Sequence, residues 1–218
     1  MRKFSLFIIA LFAFTAFLPL DVWACACCAE EGEYNIRTAA PSAYQVELLG
    51  QMKFDTAGYL FMNAAGFEVI KGLDSIQKEY ESESWVAASG KFDLANTFAA
   101  KTWKFTFKTP SGKAGTLNVP MPKQMLSFSA DIHDGKGGGG GPLLYKEWRF
   151  KGELQSGNGF FQAGIVKPTT YFLVLQGRGN NCDNAEDFSH WRLEIDGKKA
   201  RYQFFGKLSS GTSYETED

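Results

Sequence analysis

Apolar side chains recur at every second position in one segment of this chain after another, a period that fits strands with one face in a core and the other in water. Trp103, Phe105 and Phe107 alternate with Thr102, Lys104, Thr106 and Lys108. Leu126, Phe128, Ala130 and Ile132 alternate with Ser127, Ser129, Asp131 and His133, and Trp148, Phe150 and Leu154 with Arg149, Lys151 and Glu153. The longest run covers residues 44–54, with Tyr44, Val46, Leu48, Met52 and Phe54 on one face and Leu49 the one apolar residue on the other. It reads as a long, half-buried antiparallel strand. Composition agrees, since 20 Phe, 8 Tyr and 23 Gly among 218 residues suit aromatic strands joined by glycine turns better than a helical bundle.

Turn chemistry supplies the connections. Pro110, Ser111 and Gly112 separate the strand ending near Lys108 from a partner through Thr116, Leu117 and Val119, which predicts a hairpin. Near the C-terminus Trp191, Leu193 and Ile195 lead to Asp196-Gly197 and then to Ala200, Tyr202, Phe204 and Leu208. A four-residue turn from Asp196 to Lys199 predicts Glu194 opposite Arg201 and Trp191 opposite Phe204. Leu73, Ile76 and Tyr80 recur at helical spacing and predict one short surface helix. Asp183 or Asn184 caps a further turn over Ala185 to Phe188, and the run from Gly135 to Pro142 reads as a mobile loop. The expected fold is all-β and antiparallel, with about ten strands in an up-and-down barrel of lipocalin-like size, since closure removes unpaired edges. A two-sheet β-sandwich is the alternative.

The N-terminus carries an address. Arg2 and Lys3 precede an apolar stretch from Phe4 to Leu20, the n-region and h-region of an export signal. Cleavage after Ala24 gives a signal peptide over residues 1–24, whereas cleavage after Ala26 uses the A-x-A site Ala24-Cys25-Ala26. A lipid tether at Cys25 is a third reading, against which Val22 and Trp23 depart from the usual lipoprotein pattern. Residues 25–43 then form a cysteine-containing N-terminal segment, 44–209 a single β-rich domain and 210–218 a polar, acidic tail. The expected location is exported, periplasmic or extracellular, with no transmembrane segment in the mature chain. Lys and Arg number 23 against 24 Asp and Glu, with no basic run, so nucleic acid is excluded as a partner class.

The chemistry-bearing residues are few. Cys25, Cys27, Cys28 and Cys182 are disulfide candidates in an oxidising compartment, with Cys182 pairing to Cys27 or Cys28. The sharper alternative is a metal site on Cys27, Cys28 and Cys182, joined by His133 and Asp131, soft enough for Cu or Zn. Calcium at the oxygen-rich loop Asn180 to Asp187 is less expected, because the spacing is not that of an EF-hand. The glycine run lacks the Gly-Lys-Ser/Thr of a phosphate cradle, and no catalytic motif names a reaction. These readings point to an exported, non-enzymatic β-domain protein that requires no cofactor and binds a small apolar or amphipathic ligand in the barrel mouth. An exported metal-binding protein is the alternative.

Overall fold

The computed structural model describes residues 34–61, 89–131 and 144–211. The expected signal peptide, Cys25, Cys27, Cys28, the helix at Leu73 to Tyr80, His133, the glycine run and the end of the acidic tail lie outside these residues. In chain order the elements are β1 (Tyr34–Ala39), α1 (Ala43–Gln51), β2 (Phe54–Phe61), β3 (Ser89–Ala99), β4 (Thr102–Lys108), β5 (Ala114–Pro120) and β6 (Met125–Asp131). There follow β7 (Leu144–Glu153), β8 (Gly157–Gly159), β9 (Thr169–Gly179), a one-turn 3-10 helix (Ala185–Asp187), β10 (Phe188–Gly197) and β11 (Arg201–Leu208).

The eleven described strands form one antiparallel sheet in the order β1-β6-β7-β9-β10-β11-β2-β3-β4-β5-β8. The sheet curls into a half-barrel, so the all-β, barrel-like architecture expected from the alternation holds. Among the described residues its ends are two edge strands, β1 and β8. The β11–β2 ladder joins the meander β2–β5 to the strands that follow it in the chain. Aromatic side chains fill the concave face: Trp103, Phe105, Phe107, Trp148, Phe150, Trp191 and Phe204 are each at most 1% exposed. Burying each of them stabilises the fold by roughly 1.5–3 kcal/mol. The connection after β7 adds Leu154, Phe161 and Ile165 to the same core. No helix among the described residues is long and apolar enough to cross a membrane.

Four expectations change. Residues 44–54 are not one strand: Ala43–Gln51 is the helix α1, and β2 begins at Phe54. Ser42 Oγ accepts from Gln45 N at 3.1 Å while Gln45 Oε1 accepts from Ser42 N at 3.0 Å, a capping box that starts the helix. Leu48, Leu49 and Met52 are all buried. Positions i, i+1 and i+4 share a helix face but fall on both sides of a strand, so Leu49 is the residue that marks the helical period. Next, β1 belongs to the sheet although the alternation placed residues 25–43 outside the β-rich domain; it pairs with β6 from Tyr34↔Ala130 to Ala39↔Met125.

The faces of β6 are the reverse of those expected. Met125 and Asp131 are buried while Leu126, Phe128 and Ala130 are half-buried. Ser127 pairs with the buried Trp148, so the polar positions of β6 share the core side with β7, and its apolar positions face outward. Finally, the β10–β11 register places Asp196 opposite Arg201, Glu194 opposite Gln203 and Trp191 opposite Gly206. Gly197 N–H donates to Ala200 O at 2.8 Å, a tighter turn than the one expected. A Cβ at position 206 would lie 2.8 Å from Trp191 Nε1, so glycine is what admits the indole there.

Candidate functional site

Two polar clusters form near one end of the sheet, on opposite faces. The inner one centres on Lys146, whose place on β7 between Tyr145 and Glu147 turns it to the core side. Its ammonium donates to Asp187 Oδ2 at 2.7 Å and to the Cys182 carbonyl at 2.6 Å, with Asp183 Oδ1 at 3.8 Å. Asp187 Oδ2 also accepts from Asn184 N at 3.1 Å, which closes the expected turn over Ala185–Asp187. A Cβ on Gly179 would lie 2.2 Å from Asp187 Cγ, so the carboxylate can sit against β9 only because that position is glycine. From the other side α1 holds the same loop, through Tyr44 Oη donating to Asp183 O at 2.9 Å and Gln45 Nε2 to Asp183 Oδ2 at 3.1 Å. Two carboxylates of the loop that the calcium reading would use, Asp183 and Asp187, thus face an ammonium belonging to the chain itself.

The outer cluster is an open groove of about 490 Å³ across the ends of β7, β9, β10, β11 and β2. Its walls carry Tyr145, Gln176, Arg178, His190, Lys207 and Asp55. Ladder register explains why they meet: Tyr145 pairs with Arg178, Gln176 with His190, and His190 with Lys207, and directly paired residues share a face. Among the described residues neither Arg178 nor Lys207 has an ion-pair partner. Asp55 Oδ1 accepts from the Thr56 amide at 2.7 Å. Tyr145 donates to Glu147, whose other oxygen takes Arg149. Burial first, and then the Glu147 carboxylate, push the Tyr145 phenol well above its ordinary range, so it stays a neutral donor.

The groove continues into an apolar strip on the same outer face. Tyr145 lies edge-on to Phe128 with ring centroids 6.1 Å apart, and Phe128 pairs with Ile36. Tyr34 and Ile36 are 66% and 56% exposed, more than the other large hydrophobic residues described. Ser189 Oγ lies 2.9 Å from His190 Nδ1. Both side chains line the groove and supply part of its polar rim.

Of the residues nominated for a Cu or Zn site, Cys182 reaches the inner cluster through its carbonyl. Asp131 is 6% exposed and sits opposite Leu144, and His133 lies outside the described residues. Cys182 is exposed on the loop that Lys146 anchors, and its three candidate partners lie outside the described residues. Among the described residues no group of three or more His, Cys, Asp or Glu side chains is placed to hold a metal ion. Arg178, His190 and Lys207 carried no signal in the sequence; only strand pairing brings three residues so far apart along the chain to one groove. Comparison with protein-family models, with curated proteins and with solved structures finds no match to this chain, so the functional reading rests on the site's own geometry.

Proposed function

We propose that this chain is an exported, non-enzymatic β-domain protein that binds a small amphipathic ligand, and that the outer groove is its site. The observation that carries the reading is the join at Tyr145, where a groove with cationic walls meets an apolar strip running from the half-buried Phe128 to the exposed Ile36 and Tyr34. A site with one wet and one apolar end fits a ligand of the same make-up. The concave face supports this placement by being taken up with buried aromatic side chains. The charged and apolar segments ahead of Leu20 support export. The test is titration of the exported protein with an uncharged apolar fluorophore, N-phenylnaphthylamine. Saturable one-to-one binding that Phe128→Ser weakens is expected; binding that Phe128→Ser leaves unchanged overturns the placement, and no saturable binding overturns the reading.

The second reading is a disulfide or a Cu or Zn site joining Cys182 to Cys27 or Cys28, and one observation favours it. The ladder Tyr34↔Ala130, Ala130↔Tyr145, Tyr145↔Arg178 puts the start of β1 and the end of β9 at the same end of the sheet. They are three strand spacings apart, roughly 14 Å. Cys28 precedes Tyr34 by six residues, enough chain to span about 20 Å. Intact mass before and after alkylation, under native and denaturing conditions, separates the outcomes. Cystines without metal make the cysteines structural, free thiols with a retained ion make them a metal site, and free thiols without metal remove both.

A further inference from the structure

We infer that the ligand is a single-chain anionic amphiphile, its carboxylate or phosphate head held by Arg178, Lys207 and His190 and its apolar chain laid over Tyr145, Phe128 and Ile36. The inference rests on the amphiphile reading above and adds the charge and the direction of the ligand. Two arguments carry it.

The first is charge complementarity. The groove walls hold two cationic side chains that have no ion-pair partner among the described residues, Arg178 and Lys207, against one carboxylate, Asp55, which accepts its own neighbour's amide. Glu147, the next carboxylate along the row, is engaged by Tyr145 and Arg149. Of the cations on the strands beside the groove, Arg192 is paired with Glu194 at 3.2 Å and Arg149 with Glu147. An anionic head placed there gains charge-assisted hydrogen bonds from a guanidinium fork and an ammonium, with His190, Ser189 and the Tyr145 hydroxyl as further polar neighbours.

The second is extent. From Arg178 on β9 the outer face runs through Tyr145 on β7 and Phe128 on β6 to Ile36 and Tyr34 on the edge strand β1. That path covers three strand spacings, roughly 14 Å, which suits a chain of medium length. Arg149 lies over the Phe128 ring at 5.7 Å, holding that ring in place as part of the floor.

The experiment titrates the full exported protein with dodecyl phosphate, monododecyl glycerol, dodecyltrimethylammonium and inorganic phosphate, all below micelle-forming concentrations, and sediments it with anionic vesicles. Dodecyl phosphate is expected to bind at least about tenfold more tightly than the uncharged and cationic chains. Arg178→Gln with Lys207→Gln should remove that preference and leave monododecyl glycerol binding intact, while Phe128→Ser should weaken both. Circular dichroism of each variant shows that it is folded. Equal binding of charged and uncharged chains overturns the anionic head but leaves the amphiphile reading standing. Inorganic phosphate binding as tightly as dodecyl phosphate overturns the role of the apolar strip, and vesicle binding without binding of the monomeric amphiphile makes this face a membrane contact instead. Concentration-dependent dimers abolished by Phe128→Ser assign the strip to a second copy of the chain. No binding by any probe overturns both readings together.

Discussion

Lys146 and Arg178 stand on adjacent strands, β7 and β9, one residue out of register, and they face opposite sides of the sheet. Lys146 is 4% exposed at its side chain and its ammonium meets a carboxylate, a carbonyl and a second carboxylate. Arg178 is half-buried in an open groove and has no ion-pair partner among the described residues. A charge taken out of water must be compensated by the fold itself, whereas one left at the surface keeps its water and can exchange it for a ligand. The inner cluster is therefore finished without anything from outside, and the outer one is not.

The largest expected effect lies at Lys146. Lys146→Met leaves the Asp187 carboxylate buried opposite an apolar group, and the expected cost is about 3–5 kcal/mol. Adding Asp187→Leu removes the stranded charge and should recover most of that loss, because a well-packed apolar pair can equal a buried ion pair. Urea denaturation of both variants checks this. A single substitution costing under about 1 kcal/mol would mean the cluster holds no more than a surface pair does. Hydrogen exchange should also speed up across residues 180–187, the loop that carries Cys182, since Lys146 is its anchor from within the sheet.

A smaller effect separates the two faces through their tyrosines. Burial alone raises the Tyr171 phenol on the core side, where its hydroxyl donates to Pro120 O. Burial together with the Glu147 hydrogen bond and charge raises the Tyr145 phenol on the outer side. In both cases the folded chain holds the phenol neutral at pH values where the unfolded chain, titrating near 10, has lost the proton. Stability should be flat with respect to these groups below about pH 10 and fall above it. Glu147→Gln should lower the Tyr145 titration and leave Tyr171 where it was. Ultraviolet titration of tyrosinate in Tyr145→Phe, Tyr171→Phe and Glu147→Gln proteins assigns the two steps, and a shift of Tyr171 in Glu147→Gln would show that the faces are coupled.

How much of this was legible in the sequence follows the same division between local and non-local physics. Trp103, Phe105 and Phe107, with the turn after Lys108, announce β4 and its hairpin because period and turn chemistry are local. The helix α1 was hidden because its residues also satisfy an alternating pattern, and the deciding signals were Leu49 and the spacing of Ser42 to Gln45. The reversed faces of β6 were not readable locally at all. Leu126 and Phe128 face outward because Trp148 and Phe150 on the neighbouring strand occupy the inside, a fact about register. The groove was invisible for the same reason, since Tyr145, Arg178, His190 and Lys207 become neighbours only through three ladders. Lys146 read as one more polar residue in an alternating strand, and nothing along the sequence ties it to Asp187.

The smallest expected effect is the sharpest statement of the difference between the two cations. Arg178→Gln and Lys207→Gln, singly or together, should change stability by no more than about 0.5 kcal/mol, because neither side chain has an ion-pair partner among the described residues and both lie where water replaces what is removed. Any change should lean towards stabilisation, since like charges on one groove repel, and it should shrink as salt is raised. Urea denaturation at low and at moderate ionic strength, run beside the Lys146→Met protein, measures this. A loss of 2 kcal/mol or more, about the scale of a broken buried contact, would place Arg178 in the folding machinery with Lys146. A neutral result together with a lost preference for the anionic amphiphile would place the two cations of neighbouring strands in different trades, one holding the fold and the other holding what the fold binds.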